Sequence, residues 1–325
     1  MTGLGNHSFV DYDQIKRRVR ACDYLVVAQL FLRDNFLLTR ELQPADIKPR
    51  LLGHWGTCHG INVAYANLSA YFQAQNNPNF HFVLGPGHGF PALQANLYYD
   101  GELAKTDPRA TCNADGLAYL CKSFSWPGGY PSHSSPATPG VICEGGELGY
   151  ALATAYGAAL GHPERTYAVL IGDGELETAT ALASLNLNQL LATPANGTVL
   201  PILHLNGYKI SAPTISGRKS ERQLHQQLRG FGFTPVEIPH DTPHCFQAAL
   251  QQAAQIKNPF LILRSAKGAT GPAALRGRKI AGTHNAHQIP LPAAAEDPEQ
   301  LQLLADWLHS YRFTELFDPE KGVTL

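Results

Sequence analysis

No stretch of this 325-residue sequence approaches the ~18 consecutive apolar residues that a membrane-spanning helix requires. Charge is also sparse: 16% of residues are charged, and they balance to a formal net charge of -1. Lys and Arg are scattered rather than massed, so no phosphate-tracking stripe points to nucleic acid. The six cysteines, Cys22, Cys58, Cys112, Cys121, Cys143 and Cys245, form neither a CxxC pair nor a metal-ligand spacing. Residues 1–10 show no apolar core flanked by basic residues, and no secretory signal is expected. Together these absences predict a cytoplasmic protein with reduced thiols, no membrane partner and no nucleic-acid partner. Internal repeats and low-complexity tracts are absent too.

What is present is an alternation of apolar segments. Helical spacing predicts helices over 11–33, 60–75, 91–103, 116–124, 148–160, 175–191, 221–228, 245–256 and 299–311. Short apolar runs predict strands over 80–84, 167–171, 200–205, 236–238 and 260–264. Apolar strands separated by helices imply an α/β fold, a mostly parallel sheet with helices on both faces. Ligands in such sheets bind beyond the carboxyl ends of the strands. Residues 1–297 are expected to form the domain, and 298–325 a closing helix and a polar tail or linker.

The strongest local signal is Ala168-Val-Leu-Ile-Gly-Asp-Gly-Glu-Leu-Glu-Thr. An apolar strand runs into Gly172, Asp173 and Gly174, and a helix is expected from Glu175. Glycines let a backbone approach a phosphate closely, and a helix start offers unpaired N–H groups. Asp173 supplies a hard carboxylate oxygen suited to Mg²⁺. About thirty residues on, a second strand ends in His204-Leu-Asn-Gly-Tyr-Lys. Asn206 can offer a side-chain oxygen and Tyr208 a backbone carbonyl, and neighbouring parallel strands would bring both turns to one sheet edge. Taken singly, a Gly-Asp-Gly is as readily a tight turn. The pair resembles the signature by which thiamine-diphosphate enzymes hold a diphosphate through a divalent metal.

Further segments narrow the resemblance: Leu51-Leu-Gly-His-Trp-Gly-Thr, Gly85-Pro-Gly-His-Gly, Pro127-Gly-Gly-Tyr-Pro-Ser-His, Glu144-Gly-Gly-Glu-Leu-Gly-Tyr, Lys267-Gly-Ala-Thr-Gly-Pro and Ala286-His-Gln-Ile-Pro. Together these resemble the xylulose-5-phosphate/fructose-6-phosphate phosphoketolases along nearly the whole chain. The resemblance implies a transketolase-like module that anchors thiamine diphosphate and Mg. It further implies cleavage of a ketose phosphate to an acetyl-thiamine intermediate, which inorganic phosphate releases as acetyl phosphate. Matched motif by motif, the expected catalytic histidines are His54, His88, His133 and His287. Gly145, Gly146 and Glu147 match the loop that contacts the cofactor, and Lys267 matches the lysine near its diphosphate. Gly172, Asp173, Gly174, Glu175 and Asn206 complete the cofactor set, with Asp173, Asn206 and Tyr208 as metal ligands. His81, His204, His244 and His284 have no such motif; His204, within a strand, is read as a core residue.

Several positions depart from the family pattern. Ala137 stands where a glutamate is expected, Cys143 replaces a histidine, and Cys58-His59 replaces a Thr/Pro-type pair. Ala179-Thr180 replaces Gly-Pro, and Ala269 replaces a tryptophan. These changes put the sugar donor or the acyl acceptor in question, and Cys143 reads as a small buried filler or a reactive thiol. Length is the larger departure, because the family continues into a second module carrying the glutamate that activates the cofactor. The chain is therefore expected to need a separate pyrimidine-binding subunit, two copies of each forming a heterotetramer. A non-catalytic cofactor-holding paralogue and a fragment of a longer enzyme are the competing readings.

Overall fold

The computed structural model describes residues 10–189 and 193–323. Five strands form one parallel sheet: β1 (Phe80–Leu84), β2 (Thr166–Gly172), β3 (Thr198–Leu205), β4 (Thr234–Ile238) and β5 (Pro259–Arg264), in the order β1-β2-β3-β5-β4. All five predicted strands are present, each at or within two residues of the expected bounds on nearly every edge. Successive side chains leave a strand on opposite faces, and the core divides accordingly. Leu84, Ala168, Leu170, Leu200, Ile202, Leu261 and Leu263 point into one cluster, while Val83, Val169, Ile171, Leu203, Leu205 and Ile262 point into the other.

Helices α1 (Tyr12–Phe31), α2 (Cys58–Ala74), α3 (Phe90–Tyr99), α4 (Glu102–Thr106) and α5 (Ala114–Ser123) precede β2. Helix α6 (Ala151–Ala159) also precedes β2, and after it come α7 (Ala179–Ser184), α8 (Ile215–Arg218), α9 (Glu221–Gly230), α10 (Pro243–Ala253) and α11 (Pro298–Ser310). Side-chain caps start many of them, as expected for Ser, Thr, Asp and Asn before a helix. Asp11 accepts from Asp13 and Gln14, Thr242 from Cys245, and Ser220 forms a capping box with Gln223. The larger core cluster packs α1, α2, α3, α10 and α11 on one face of the sheet; α6 and α9 cover the other.

Three expectations need correction. The helix expected over 91–103 breaks at Asp100 and Gly101, whose left-handed φ of 72° suits glycine. The helix expected over 175–191 becomes a 3-10 turn (Glu175–Glu177), α7, and a second 3-10 turn (Leu185–Gln189); residues 190–191 lie outside the described ones. Its start fails because Glu175 turns its carboxylate back to the Gly172 N–H instead of continuing a helix. Finally, residues 313–323 do not depart as a tail. Phe313 stacks on Tyr24 with centroids 4.1 Å apart, and the hairpin of β8 (Phe317–Asp318) and β9 (Gly322–Val323) folds back. The two remaining strands, β6 (Ala274–Leu275) and β7 (Arg278–Lys279), form a small hairpin beyond β5.

Candidate active site

The carboxyl ends of β1, β2, β3 and β5 carry the loops that hold His88, Asp173, Asn206 and Lys267, while His54, His133, His287 and Gly145 to Glu147 come from loops elsewhere in the chain. Gly172 of β2 pairs in register with His204 of β3, so the two turns that follow are neighbours. Asp173 ties them together: its Oδ2 accepts from the Gly207 N–H at 2.7 Å and the Thr214 hydroxyl at 3.0 Å, and its Oδ1 accepts from Gly174 N–H at 3.0 Å. Burial pushes the Asp173 carboxyl upward, against these donors and nearby Lys267. Asn206 Oδ1 accepts from the Tyr208 N–H at 3.1 Å. Lys267 donates to the Tyr208 carbonyl at 2.9 Å, and burial pulls its ammonium down to about 8.

These groups line a cleft of about 300 Å³ that also takes in His88 and His287. The other two motif histidines, His54 and His133, join them in one cluster of rings. His54 stands at the centre, its ring centroid 4.9 Å from His88, 5.6 Å from His133 and 5.1 Å from His287. His88 and His287 are 5.1 Å apart. Loops supply them because loops can bring four rings from distant sequence to one point. The Cys58 thiol donates to the His54 carbonyl at 3.0 Å, pinning the turn into α2. Burial, then the neighbouring His133 and Lys267, pull His54 down to about 4. Burial, Lys267 and His54 pull His287 to about 3, and His88 falls well below its ordinary value through burial beside His54 and His287. His54, His88 and His287 are thus held neutral near pH 7.

The loop 144–147 is placed differently from the other predicted cofactor residues. Gly145 packs against the 85–89 loop, where a Cβ would meet Ser134 Oγ at 2.1 Å, and its N–H donates to the Ser134 carbonyl at 2.8 Å. Gly146 and Glu147 are exposed, and neither lines the cleft; Leu148 does. Glu175 lines the cleft while almost fully buried, accepting from Gly172 N–H at 3.1 Å and Gly149 N–H at 3.3 Å, with its carboxyl pushed up by burial to about 7. Cys143 is buried, its thiol raised to about 11 mainly by burial, which suits the filler reading.

Sequence reasoning passed over Thr57, Thr214, Lys209 and Glu177. Thr57 and Lys209 line the cleft, and Thr214 completes the Asp173 cage. Glu177 binds Lys209 and accepts from the Ile215 N–H at 2.6 Å, fixing the far rim. Its place one turn beyond Asp173 in the Gly-Asp-Gly segment was the available signal.

Two observations bear on whether a diphosphate cofactor and metal fit. The Nδ1 atoms of His54 and His287 are buried with no partner in the protein, and buried polar atoms rarely stay so. The donor set of carboxylate, amide oxygen and backbone carbonyl is the hard-oxygen type that Mg²⁺ prefers. Asp173, Asn206 and the Tyr208 carbonyl would hold the metal, with Lys267 beside them to offer positive charge to a phosphate. The residues fit the group.

Comparison with known proteins bears on the family. The model of the XFP N-terminal domain family matches residues 8–324. A probable phosphoketolase from Streptomyces avermitilis is 46% identical over 322 residues, covering 93% of this chain and 40% of that protein. One from Bradyrhizobium diazoefficiens is 44% identical over 330 residues, covering 95% and 41%. Among solved structures, transketolase from Leishmania mexicana superposes with a TM-score of 0.60 at 20% identity, covering 94% of this chain and 45% of that one. Transketolase from Campylobacter jejuni gives 0.61 at 18% identity, covering 92% and 48%. The chain thus spans about 40% of the length of these curated relatives, within the part that forms the transketolase-like sheet. With a matching family model along nearly its whole length and relatives well above 40% identity, the chain belongs to the phosphoketolase N-terminal domain family.

Proposed function

We propose that the chain is the cofactor-anchoring subunit of a thiamine-diphosphate- and Mg-dependent phosphoketolase, cleaving a ketose phosphate in the cytoplasm and passing an acetyl group to inorganic phosphate. The observation that carries this reading is the placement of His88 and His287 with Asp173, Asn206 and Lys267 around one cleft, with His54 and His133 in the same cluster of rings. Asp173, Asn206 and the Tyr208 carbonyl would hold the metal, and Gly174 with Lys267 would face the diphosphate. Thiamine diphosphate supplies, when bound, the carbanion that opens a sugar carbon–carbon bond.

The chain's own residues then move protons. Cleavage of a ketose and loss of a hydroxyl need groups that accept a proton and return it near neutral pH, the task imidazole suits. His54, His88 and His287 are neutral and so can accept. Crowding four rings within 6 Å makes a second proton costly, which favours passing it on to substrate rather than storing it. Lys267, poised near 8, offers positive charge to a phosphate.

No carboxylate of this chain is assigned to activating the aminopyrimidine, and the reading gives that role to a separate pyrimidine-binding subunit in a heterotetramer. Exposed apolar side chains on the cleft's own loops support it. Leu148 and Ile210 line the cleft mouth while 40% and 69% exposed, and Tyr150 and Ile215 lie close in sequence. Isolated surfaces seldom keep such residues together without a partner. The 54–59 segment, by contrast, spends its apolar residues internally, with Trp55 fully buried against Trp307. The test is co-purification from the native organism, followed by assay of the assembly with phosphate and candidate ketose phosphates. Acetyl phosphate formation is expected; a purified assembly that binds thiamine diphosphate yet cleaves no ketose phosphate would count against the activity.

A further inference from the structure

His204 is 1% exposed, as a core residue should be, yet all of its polar side-chain atoms are engaged at the cleft. Its Nδ1 lies 3.1 Å from Thr57 Oγ1, and its Nε2 lies 2.7 Å from Ser265 Oγ. Its backbone carbonyl accepts the Asp173 N–H at 3.2 Å. The three partners belong to three segments that build the cleft. Thr57 lines it at the start of α2, Ser265 opens the turn that carries Lys267, and Asp173 holds the turn after β2.

Two details show that the contact is selected over ordinary alternatives. Thr57 occupies the N-cap position of α2, where a threonine hydroxyl usually accepts an amide N–H of the first turn. It makes no such bond and faces His204 instead. On the same helix, a Cβ at Gly60 would stand 2.1 Å from His204 Nε2. The imidazole therefore fills the space a side chain would take, and α2 sits against the ring only because residue 60 is glycine. An apolar side chain of similar volume would fill that space equally well but would leave the buried Thr57 hydroxyl and the half-buried Ser265 hydroxyl without this partner.

Resting on the reading of this cleft as a thiamine-diphosphate site, we infer that His204 is a positioning residue, whose two ring nitrogens fix the Thr57 hydroxyl on the cleft wall and the Ser265–Lys267 turn opposite it. The residue touches neither the cofactor nor the substrate. It sets where the groups that do so stand, so its loss is read in cofactor affinity.

Asparagine and glutamine separate the two bonds. His204→Asn places an amide near Nδ1 and can keep Thr57, whereas His204→Gln reaches toward Nε2 and can keep Ser265. The experiment is calorimetric titration of thiamine diphosphate with Mg²⁺ into the co-purified assembly. Thr57→Val should weaken affinity roughly tenfold in the wild type and in His204→Asn, the scale of a lost bond at a charged ligand. In His204→Gln, where the Thr57 bond is already gone, adding Thr57→Val should change affinity less than about twofold. A core-filling role alone predicts an equal Thr57→Val effect in all three backgrounds, and that result overturns the inference. If His204→Gln does not fold, Thr57→Val and Ser265→Ala carry the test. Each should weaken binding several-fold at an almost unchanged melting temperature, and unchanged affinity in both overturns the inference. A wild-type assembly that binds no thiamine diphosphate removes the cofactor reading itself, an outcome visible before any variant is made.

Discussion

The His54 and His287 rings meet edge to face with centroids 5.1 Å apart, and the Nδ1 of each is buried without a partner in the chain. Both are neutral in the folded protein, with values near 4 and 3, against about 6.5 for a free histidine. Between these limits the unfolded chain binds more protons than the folded one, so stability rises with pH there and is lost as pH falls. The melting temperature should drop as pH falls from about 6.5 toward 4. In His54→Gln/His287→Gln that part of the slope should flatten, as followed by circular dichroism in a series of buffers. A slope identical to wild type would show that other groups control the acid limb.

Activity and stability should separate at the four cleft histidines. Alanine at His54, His88, His133 or His287 should lower turnover of the reconstituted enzyme by about 10²-fold or more, the scale of a lost acid/base group. Removing a strained, desolvated ring should barely shift the melting temperature. A variant that keeps full activity takes its histidine out of the site.

Asp173 has two tasks, and different substitutions divide them. Asp173→Ala removes the metal's carboxylate and also strands the Gly207 and Gly174 N–H groups and the Thr214 hydroxyl. It should abolish thiamine-diphosphate binding and cost about 1–3 kcal/mol per buried group left unpaired. Asp173→Asn keeps an acceptor oxygen and should lose the metal at a smaller cost in stability. Calorimetry and thermal melts report the two effects separately, and retained affinity in both variants would sink the metal assignment.

His59, one of the positions that departs from the family pattern, should behave in the opposite way to the cleft histidines. Its Nδ1 lies 2.7 Å from Asp23 and its Nε2 3.4 Å from Asp241. Burial works against its charge, but the two carboxylates prevail and raise it to about 10. Its contribution to stability is complete below about 6.5 and is lost as pH rises through about 10. His59→Ala leaves Asp23 buried without its cation and should cost about 3–5 kcal/mol, measured by urea unfolding at pH 7. A cost below 1 kcal/mol would mean that Asn62 and Thr270, which also donate to Asp23, suffice.

How much of this was legible in the sequence depended on the range of the interaction. Strands such as Tyr167–Ile171 were readable because a buried parallel strand is apolar on both faces, a purely local pattern. The four histidines were reachable only through their motifs, since nothing local brings residue 287 beside residue 54. Glu175 defeated the helical reading because its carboxylate caps the turn behind it, a choice made by the Gly149 loop from across the fold. The 313–323 segment looked polar in composition, but Phe313 finds Tyr24 on α1 nearly 300 residues away, and Phe317 stacks on Phe313. The Thr57–His204–Ser265 contact joins three segments with no shared sequence signal: the register of β3 against β5 brings His204 to Ser265, and the packing of α2 brings Thr57 to the same ring.

The last prediction concerns the cleft rim. Ile210 is 69% exposed and Leu148 40% exposed, both on loops that also hold the proposed metal or cofactor residues. Desolvating such side chains against a partner contributes about 25 cal/mol for each Å² of apolar area buried, whereas a charge placed at the centre of that contact must be stripped of water unpaired. Ile210→Asp and Leu148→Asp should therefore abolish co-purification of the pyrimidine-binding subunit, while the melting temperature of the isolated chain stays within about 2 °C, as for other surface substitutions. The isolated wild-type chain should show no ketose-phosphate cleavage even with excess thiamine diphosphate and Mg²⁺, because the proposed reading gives the activating carboxylate to the partner subunit. The aspartate variants should match that inactive state in the presence of the partner. Robust acetyl phosphate production by the purified chain alone, checked for contaminants by mass spectrometry, would overturn the half-site argument and leave the exposed rim to some other contact.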